Sequence, residues 1–171
     1  MIRLETERLL FRDHEPEDLD AYCDMESDPI YRAPQPVHPR AELERSFRNG
    51  WLPTKPMGLL ATVLKSSGAY IGRCGLYPLR DEDGIVRGEA NIAFYLARPY
   101  WGRGLGTEAA RAFVAYGFDE LHLRRIVAGI NADNAASIRV VQRAGFRLSR
   151  EGEGGGNRWL EFELLNPWFV T

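Results

Sequence analysis

The amino-acid sequence predicts a single α+β domain, with about four helices on a mixed sheet of about six to seven strands. Three observations predict this class. Two apolar runs, at 59–64 and 70–76, are joined by a Ser-Ser-Gly turn, which is typical of a hairpin. A third apolar run, at 92–96, leads through Gly-Arg-Gly-Leu-Gly into a helical pattern and then into another apolar strand. The 171 residues suit one domain, 1–171, and no linker divides them.

In the first half of the chain, a predicted strand at 8–12 precedes a helix. The helix begins near 13–16, where a proline suits the first turn, and ends before the Asp-Pro pair at 28–29. Residues 29–39 hold four prolines and are predicted to form a loop. The polar segment at 40–49 predicts a surface helix or a lid.

The middle of the chain predicts a pair of parallel strands. A turn at 81–84 leads into a strand at 89–96, the third strand of an antiparallel meander. A helix at 105–121 and a strand at 125–130 follow. A crossover of this kind is right-handed and joins parallel strands, so the glycine turn lies at the carboxyl end of its strand. Ligands bind at that edge in open α/β sheets.

Toward the end of the chain, a short helix and two strands are predicted. Asp133 or Asn134 is the N-cap of the helix, which Gly145 closes. One strand begins at 146–148, and the last strand occupies 159–165.

Two segments near the end carry further expectations. Residues 151–157 include four glycines, at 152 and 154–156, and predict a mobile turn. The aromatic segment at 166–171 is expected to pack against the sheet, because exposed aromatic patches are rare.

Composition limits the classes of function. Lys and Arg total 22 against 24 Asp and Glu, and the net charge of −2 argues against nucleic acid as the main partner. The 2 cysteines, Cys23 and Cys74, and the 3 scattered histidines fit no metal-ligand spacing, so no metal is expected. The N-terminal segment lacks the apolar core of a signal peptide, and no apolar run approaches the ~20 residues of a membrane span. We therefore expect a cytoplasmic protein with no membrane partner.

The glycine turn at 102–106 predicts an anion site. The first amides of a helix lack internal partners, glycines let a ligand approach the backbone, and the helix dipole favours negative charge. A phosphate or pyrophosphate is the expected ligand, although such a turn also serves simply to redirect the chain. The dinucleotide pattern fits less well because Thr107 stands where it needs a third glycine. The P-loop pattern fits less well because no lysine follows these glycines.

Three segments in this order resemble the GNAT acetyltransferase superfamily. They are Trp-Gly-Arg-Gly-Leu-Gly-Thr-Glu-Ala at 101–109, Asn-x-x-Asn-x-x-Ser at 131–137 and Arg-Ala-Gly-Phe at 143–146. The opening Leu-Glu-Thr-Glu-Arg-Leu at 4–9 resembles the branch of ribosomal-protein N-terminal acetyltransferases. The resemblance spans nearly the whole chain. It implies a twisted mixed sheet whose parallel fourth and fifth strands, here the predicted strands at 89–96 and 125–130, splay apart to admit acetyl-CoA.

The resemblance also implies a set of cofactor-binding residues. The backbone of Leu96 and Ala97 would pair with the pantetheine arm, and Asn134 would contact that arm. The amides of residues 103–107 would hold the pyrophosphate. At Trp101 many relatives carry Gln or Arg, so a side-chain contact to phosphate is lost here. The implied set is Leu96, Ala97, Trp101, Gly102, Arg103, Gly104, Leu105, Gly106, Thr107 and Asn134.

The candidate catalytic residues are Ser137, Glu89 and Tyr95. By resemblance Ser137 would lie near the thioester sulfur, but a serine in the first turn of a helix also often only caps it. Glu89 is a candidate general base, and Tyr95 lies on the right strand, where a core role is also open. Many relatives have a tyrosine acid where this chain has Val141, and the branch often has a glutamate where it has Asn91. Further base candidates, each equally readable as a solvated charge, are Glu151, Glu153 and Glu161.

The implied activity is transfer of the acetyl group of acetyl-CoA to a primary amine by direct attack on the thioester. A site without an obvious base favours an amine of low pKa. At neutral pH, freeing the proton costs roughly 1 kcal/mol for an α-amine of pKa about 7.8 and roughly 4.6 kcal/mol for a lysine of pKa about 10.4. We therefore expect the acceptor to be a protein or peptide N-terminus, or a small-molecule amine of depressed pKa.

Several alternatives stay open on the sequence. One is a catalytically silent acyl-CoA-binding module of the same fold, and another is a nucleotide-phosphate binder of an unrelated fold. The sequence also leaves open the oligomeric state, including a homodimer. Trp51, Trp159 and Trp168 either line an apolar acceptor cleft or belong to the core.

Overall fold

One mixed sheet of eight strands runs through the part of the chain that the structure, a computed structural model, describes: residues 4–33, 35–50 and 57–169. The order across the sheet is β1-β2-β3-β4-β5-β6-β8-β7. The strands are Leu4–Glu5 (β1), Leu9–Arg12 (β2), Gly58–Leu64 (β3), Ala69–Asp81 (β4), Gly84–Leu96 (β5), Arg125–Asn131 (β6), Arg147–Gly154 (β7) and Asn157–Leu165 (β8). The helices are Leu19–Glu26 (α1), Pro29–Arg32 (α2), Arg40–Gly50 (α3), Leu105–Ala115 (α4) and Ala135–Arg143 (α5).

The α+β class is confirmed, with more elements than the sequence predicts. The described residues contain eight strands and five helices. They also divide into two compact units, the first formed by 1–75 and 94–106 and the second by 76–93 and 107–171. Since β4 and β5 contribute to both units, no linker marks the division in the sequence.

The first unit builds its core from β2 and from the helices that follow it. Alternate residues of β2, Leu9 and Phe11, are fully buried, and the strand pairs antiparallel with β3. Tyr22 and Met25 on α1 are buried against Leu43 of α3. The two residues of α1 are three positions apart, so they lie on one face of the helix.

The second unit contains the predicted parallel pair. β5 and β6 pair in parallel from Glu89↔Arg125 to Asn91↔Val127. β6 is buried along most of its length, and Phe162 of β8, opposite Ala128 of β6, is buried as well. α4 ends at Ala115 and continues as a π-helical turn to Glu120, so the predicted helix at 105–121 is present but irregular at its end.

The predicted proline-rich loop at 29–39 contains a one-turn helix, α2. Asp28 caps it, because its Oδ1 accepts from the backbone N of Ile30 at 2.9 Å. Pro29 occupies the first helical position, where the missing N–H costs nothing. Prolines in this segment therefore start a helix instead of excluding one. Pro34 lies outside the described residues.

The predicted mobile turn at 151–157 is wrong for most of its length. β7 extends to Gly154, and Gly152 pairs with Trp159 across the hairpin. A Cβ at Gly152 would lie 2.4 Å from Cζ2 of the Trp159 ring, so this glycine makes room for an indole. Glycine here indicates close packing between strands rather than mobility.

The expectation that the aromatic end packs against the sheet is also wrong. Trp168 is 86% exposed, and Phe169 is exposed beside it. The anchor at this end is polar: Asn166 is buried and donates its Nδ2 to the carbonyl of Leu123 at 2.9 Å. Because an amide that is satisfied in this way can be buried, the chain needs no aromatic anchor there. Of the other two tryptophans that the sequence offers for an acceptor cleft, Trp159 packs on Gly152, and Trp51 lies outside the described residues.

Candidate active site

The glycine loop connects the end of β5 to the start of α4. After Leu96 the chain makes a 3-10 turn at Arg98–Tyr100, and α4 begins at Leu105. Gly102 and Gly104 have φ of 72° and 76°, a left-handed conformation that glycine adopts without strain. A Cβ at Gly102 would meet no atom within 4 Å, so the backbone is open to a ligand at that point. The loop has the geometry of an anion cradle at a helix start.

The backbone at the end of β5 is already engaged. The indole Nε1 of Trp101 donates to the carbonyl of Leu96 at 2.6 Å. Ala97 donates its N–H to Ile71 at 2.8 Å and accepts from the N–H of Tyr100 at 2.9 Å. Three of the four backbone groups that the resemblance assigns to the pantetheine arm therefore have protein partners. Where the resemblance implies a side chain that contacts phosphate, Trp101 instead forms a hydrogen bond with the end of β5.

Two arginines lie on the loop. The guanidinium of Arg103 is 5.7 Å from the centre of the Tyr100 ring, a cation–π contact. Arg8, in the turn between β1 and β2, donates its Nη1 to the carbonyl of Arg103 at 2.9 Å. This second contact could not be predicted from the sequence because 95 positions separate the two residues.

Pairing between the two parallel strands is short. It covers three residue pairs and ends at Asn91↔Val127 within the described part of the chain, although β5 continues to Leu96 and β6 to Asn131. The unpaired ends are the carboxyl ends of both strands. The parallel pair that the sequence predicts is thus present within the second unit.

Glu89 lies at the other end of the parallel pair. It stands opposite Arg125, the first residue of β6, and its Oε2 accepts from Nε of Arg125 at 2.8 Å. Arg125 also donates to Glu163 at 2.8 Å, and Nη2 of Arg124 lies 3.9 Å from Oε1 of Glu89, so an ion network joins β5, β6 and β8. The carboxyl end of β6 at Asn131, where the sequence predicts the ligand edge, is six residues further along the strand, or ~20 Å at ~3.3 Å per residue. This position gives Glu89 a structural role, and we do not assign it as the base.

The start of α5 matches the predicted cap. Asn134 Oδ1 accepts from the backbone N of Ser137 at 3.0 Å, so Asn134 and not Asp133 is the N-cap. Ser137 is half-buried in the first turn of the helix. Val141 is completely buried, so this helix carries a core residue where many relatives have a tyrosine.

The other carboxylate candidates belong to the hairpin of β7 and β8. Glu151 is exposed and pairs with Arg158 at 2.9 Å. Glu161 accepts from Ser149 Oγ at 3.4 Å, and Glu153 is exposed. None of these contacts distinguishes a base from a surface charge.

Tyr95 is not a core residue. It is 41% exposed, and the guanidinium of Arg73 lies 4.9 Å from the centre of its ring. The same guanidinium is 5.5 Å from the ring of Tyr22. Tyr95 thus forms the exposed edge of an aromatic–charged cluster, which we define as Tyr22, Glu26, Tyr31, Tyr70, Arg73 and Tyr95.

Glu26 is the centre of this cluster. It is only 2% exposed, and it accepts from Arg73 Nη2 at 2.7 Å and from the Tyr31 hydroxyl at 3.2 Å. Burial raises the pKa of Tyr31 and of Tyr70 well above that of an ordinary phenol, so both hydroxyls stay protonated at neutral pH. Tyr31 and Tyr70 therefore act as hydrogen-bond donors and not as bases. Sequence reasoning missed it because its members come from α1, α2, β4 and β5.

The cysteines are unsuited to covalent catalysis. Cys74 is fully buried, and burial raises the pKa of its thiol to about 12. Cys23 is also buried, and burial raises its pKa. Since the thiolate is the reactive form, neither residue is suited to carry an acyl group at neutral pH. Within the described ranges, no group of three or more His, Cys, Asp and Glu can hold a metal ion.

Comparison with known proteins places the chain in a family. A model of the acetyltransferase (GNAT) domain matches residues 8–147. An uncharacterized N-acetyltransferase, p20 of Bacillus licheniformis, is 30% identical over 97% of this chain and 96% of its own length. The spermine/spermidine N(1)-acetyltransferase of Bacillus subtilis is 30% identical over 64% of this chain and 70% of its own length. The crystal structure of a GNAT-family acetyltransferase from Bacillus anthracis superimposes with a TM-score of 0.83 at 22% identity, covering 96% of this chain and 99% of that one.

The chain belongs to the GNAT acetyltransferase family, and the resemblance read from its motifs is confirmed. Ribosomal-protein acetyltransferases are also among the matched proteins and structures. The protein is an acetyl-CoA-dependent N-acetyltransferase. No described helix is long and apolar enough to cross a membrane.

Proposed function

We propose that this protein acetylates a primary amine of low pKa, namely a protein or peptide N-terminus or a small-molecule amine. The observation that carries the proposal is the glycine loop, which lies inside the matched domain and leads from β5 into α4 through two left-handed glycines. Acetyl-CoA supplies the activated acetyl thioester when it is bound.

The proposed cofactor contacts follow the loop. The amides of residues 103–107 hold the pyrophosphate, because the first amides of α4 have no helical partners and the site over Gly102 is open. Leu96, Ala97 and Asn134 contact the pantetheine arm. The Leu96 carbonyl accepts from Trp101 through one lone pair, and its second lone pair can still accept from the arm. Ser137 donates to the leaving sulfur.

The proposed acceptor follows because no described residue is assigned as the base. Glu89 is engaged in an ion network, and the buried phenols of Tyr31 and Tyr70 can donate but not abstract a proton. An amine that loses its own proton near neutral pH needs no strong base. Tyr95 is the member of the aromatic–charged cluster that is exposed enough to contact an acceptor.

The test measures thiol release from acetyl-CoA with three acceptors. The first is a lysine-free peptide with a free N-terminus, the second is the same peptide with a blocked N-terminus and one lysine, and the third is spermidine. We expect the first peptide to give the highest kcat/KM at neutral pH. Faster turnover of the lysyl peptide or of spermidine would refute the low-pKa acceptor. Binding of acetyl-CoA without turnover on any amine would instead support the silent module.

A further inference from the structure

The turn between β1 and β2 presents an arginine to the glycine loop. Arg8 lies in this turn, outside both strands, and its Nη1 reaches the carbonyl of Arg103 at 2.9 Å. A Cβ added at Gly104 would lie 3.5 Å from Arg8 Nη2, so the guanidinium also covers the second left-handed glycine. The N-terminal motif at 4–9 has no role in the proposed function. Through Arg8, this motif contacts the glycine loop.

The backbone around Arg8 is fixed on both sides. Thr6 closes the turn, since its N–H donates to the Leu9 carbonyl at 2.9 Å and its Oγ1 accepts from the Leu9 N–H at 3.0 Å. The carbonyl of Arg8 itself accepts from the N–H of Lys65 at 2.9 Å. A side chain that starts from a fixed backbone loses less entropy when its guanidinium is placed. The hairpin is thus suited to hold the Arg8 guanidinium at a defined position beside the glycine loop.

The identity of residue 101 leaves the glycine loop without a side chain that contacts phosphate from that position. The family pattern has Gln or Arg at this position of the loop, but the Trp101 indole is bonded to Leu96 and cannot contact phosphate. An arginine suits the task because its guanidinium has five N–H donors and can bond a carbonyl and an anion together. Its charge adds to the amides and dipole at the start of α4.

We propose that Arg8 binds the diphosphate of coenzyme A and replaces, from the N-terminal hairpin, the side-chain contact that Trp101 has removed from the loop. This inference rests on the proposed acetyl-CoA site. The inference assigns a binding residue to the turn between β1 and β2. In this turn, Arg8 is 95 positions before Arg103 of the glycine loop.

The experiment is calorimetric titration of coenzyme A, which needs no knowledge of the acceptor. Arg8→Met keeps the length and apolar stem of the side chain and removes the charge. We expect it to weaken binding at least about tenfold at low salt, the loss typical of one charge-assisted hydrogen bond. Arg8→Lys should recover part of the affinity. Arg80→Met, at an exposed arginine of β4, is the matched control and should bind as the wild type does.

Salt separates a binding role from a structural one. If Arg8 meets the diphosphate, the gap between wild type and Arg8→Met narrows as ionic strength rises, because salt screens the lost charge. A gap that is independent of salt and is not reduced by lysine would show that Arg8 only supports the loop. Equal affinity of wild type and Arg8→Met would refute the inference alone. Failure of the wild type to bind coenzyme A would refute the proposed function as well.

Discussion

At the residue scale, the loop depends on backbone conformations that only glycine adopts cheaply. Gly102 and Gly104 both have φ near the left-handed minimum, and Gly104 also lies beneath the guanidinium of Arg8. A side chain there costs of order 1–3 kcal/mol in backbone strain. Gly68, in the turn between β3 and β4, has a similar φ of 70° with open space around it, which makes it a natural control.

Gly104→Ala should weaken coenzyme A binding by about tenfold or more, because relief of the strain distorts the amides of the cradle. Gly68→Ala imposes a comparable strain on a turn that has no proposed ligand. It should lower the melting temperature and leave affinity unchanged. Titration calorimetry together with thermal unfolding of both variants checks the prediction, and equal loss of affinity in the two variants would contradict it.

Glu89 allows a second test at this scale. Glu89→Gln removes one carboxylate from the network with Arg125 and Glu163, so we expect lower stability, by about 1–3 kcal/mol. We expect kcat with the preferred amine to stay within about twofold, since Glu89 on β5 lies opposite the amino end of β6, far from the proposed ligand edge. Denaturant unfolding and steady-state kinetics measure the two effects. A loss of about 100-fold in kcat would make Glu89 the base after all.

At the element scale, Glu26 and Arg73 join α1 to β4 inside the first unit. Both side chains are buried, and their bond is 2.7 Å long. A buried ion pair adds little net stability over apolar packing, but removing one partner leaves an uncompensated charge. The pair therefore fixes how α1 lies on the strand rather than providing most of the stability.

Glu26→Gln should destabilise the protein by about 3 kcal/mol, since Arg73 stays buried without its counter-charge. Glu44→Gln on α3 removes a surface carboxylate that pairs with Arg40, and it should cost less than about 1 kcal/mol. Chemical denaturation of the two variants gives the comparison. Similar losses would show that burial of the Glu26 pair has no special consequence.

At the scale of the whole molecule, ligand binding and pH both change the free energy of unfolding. Coenzyme A at about 100 times its Kd should stabilise the protein by about 2.7 kcal/mol, which raises the melting temperature by about 5–11 °C for a chain of this size. ATP and NAD should produce no comparable rise. A larger rise with either nucleotide would favour the nucleotide-phosphate binder over an acyl-CoA site.

His14 makes stability depend on pH. Burial lowers its pKa, and its Nε2 donates to the carbonyl of Leu59 at 3.0 Å, so the folded protein holds it neutral. The unfolded chain binds the proton at a pKa of about 6.5, so this contribution is present above that pH and is lost as the pH falls below it.

The melting temperature should therefore fall between about pH 7 and pH 5, and His14→Gln should remove part of that fall. His122→Asn, at an exposed histidine with a φ of 50° that asparagine also accepts, should retain the whole pH dependence. Thermal unfolding at a series of pH values tests this. An unchanged slope in His14→Gln would contradict the assignment.

The sequence determined the local features of this protein. Apolar periodicity predicted β6 and α5. The N-cap was narrowed to Asp133 or Asn134, because capping depends on residues three positions apart, and the structure shows that it is Asn134. The glycine loop was readable for the same reason, since left-handed turns select glycine residue by residue. The parallel pair followed from the rule that a short strand–helix–strand unit joins parallel strands.

Tertiary structure alone decided which distant residues meet. The bond from Arg8 to Arg103, the engagement of Glu89 by Arg125 and the cluster around Glu26 all join segments far apart in the chain. The need for glycine at position 152 could not be predicted either, because it comes from the Trp159 indole on the next strand. A one-dimensional pattern records what each residue favours locally. Whether a carboxylate is a base or half of an ion pair depends on the neighbours that folding provides.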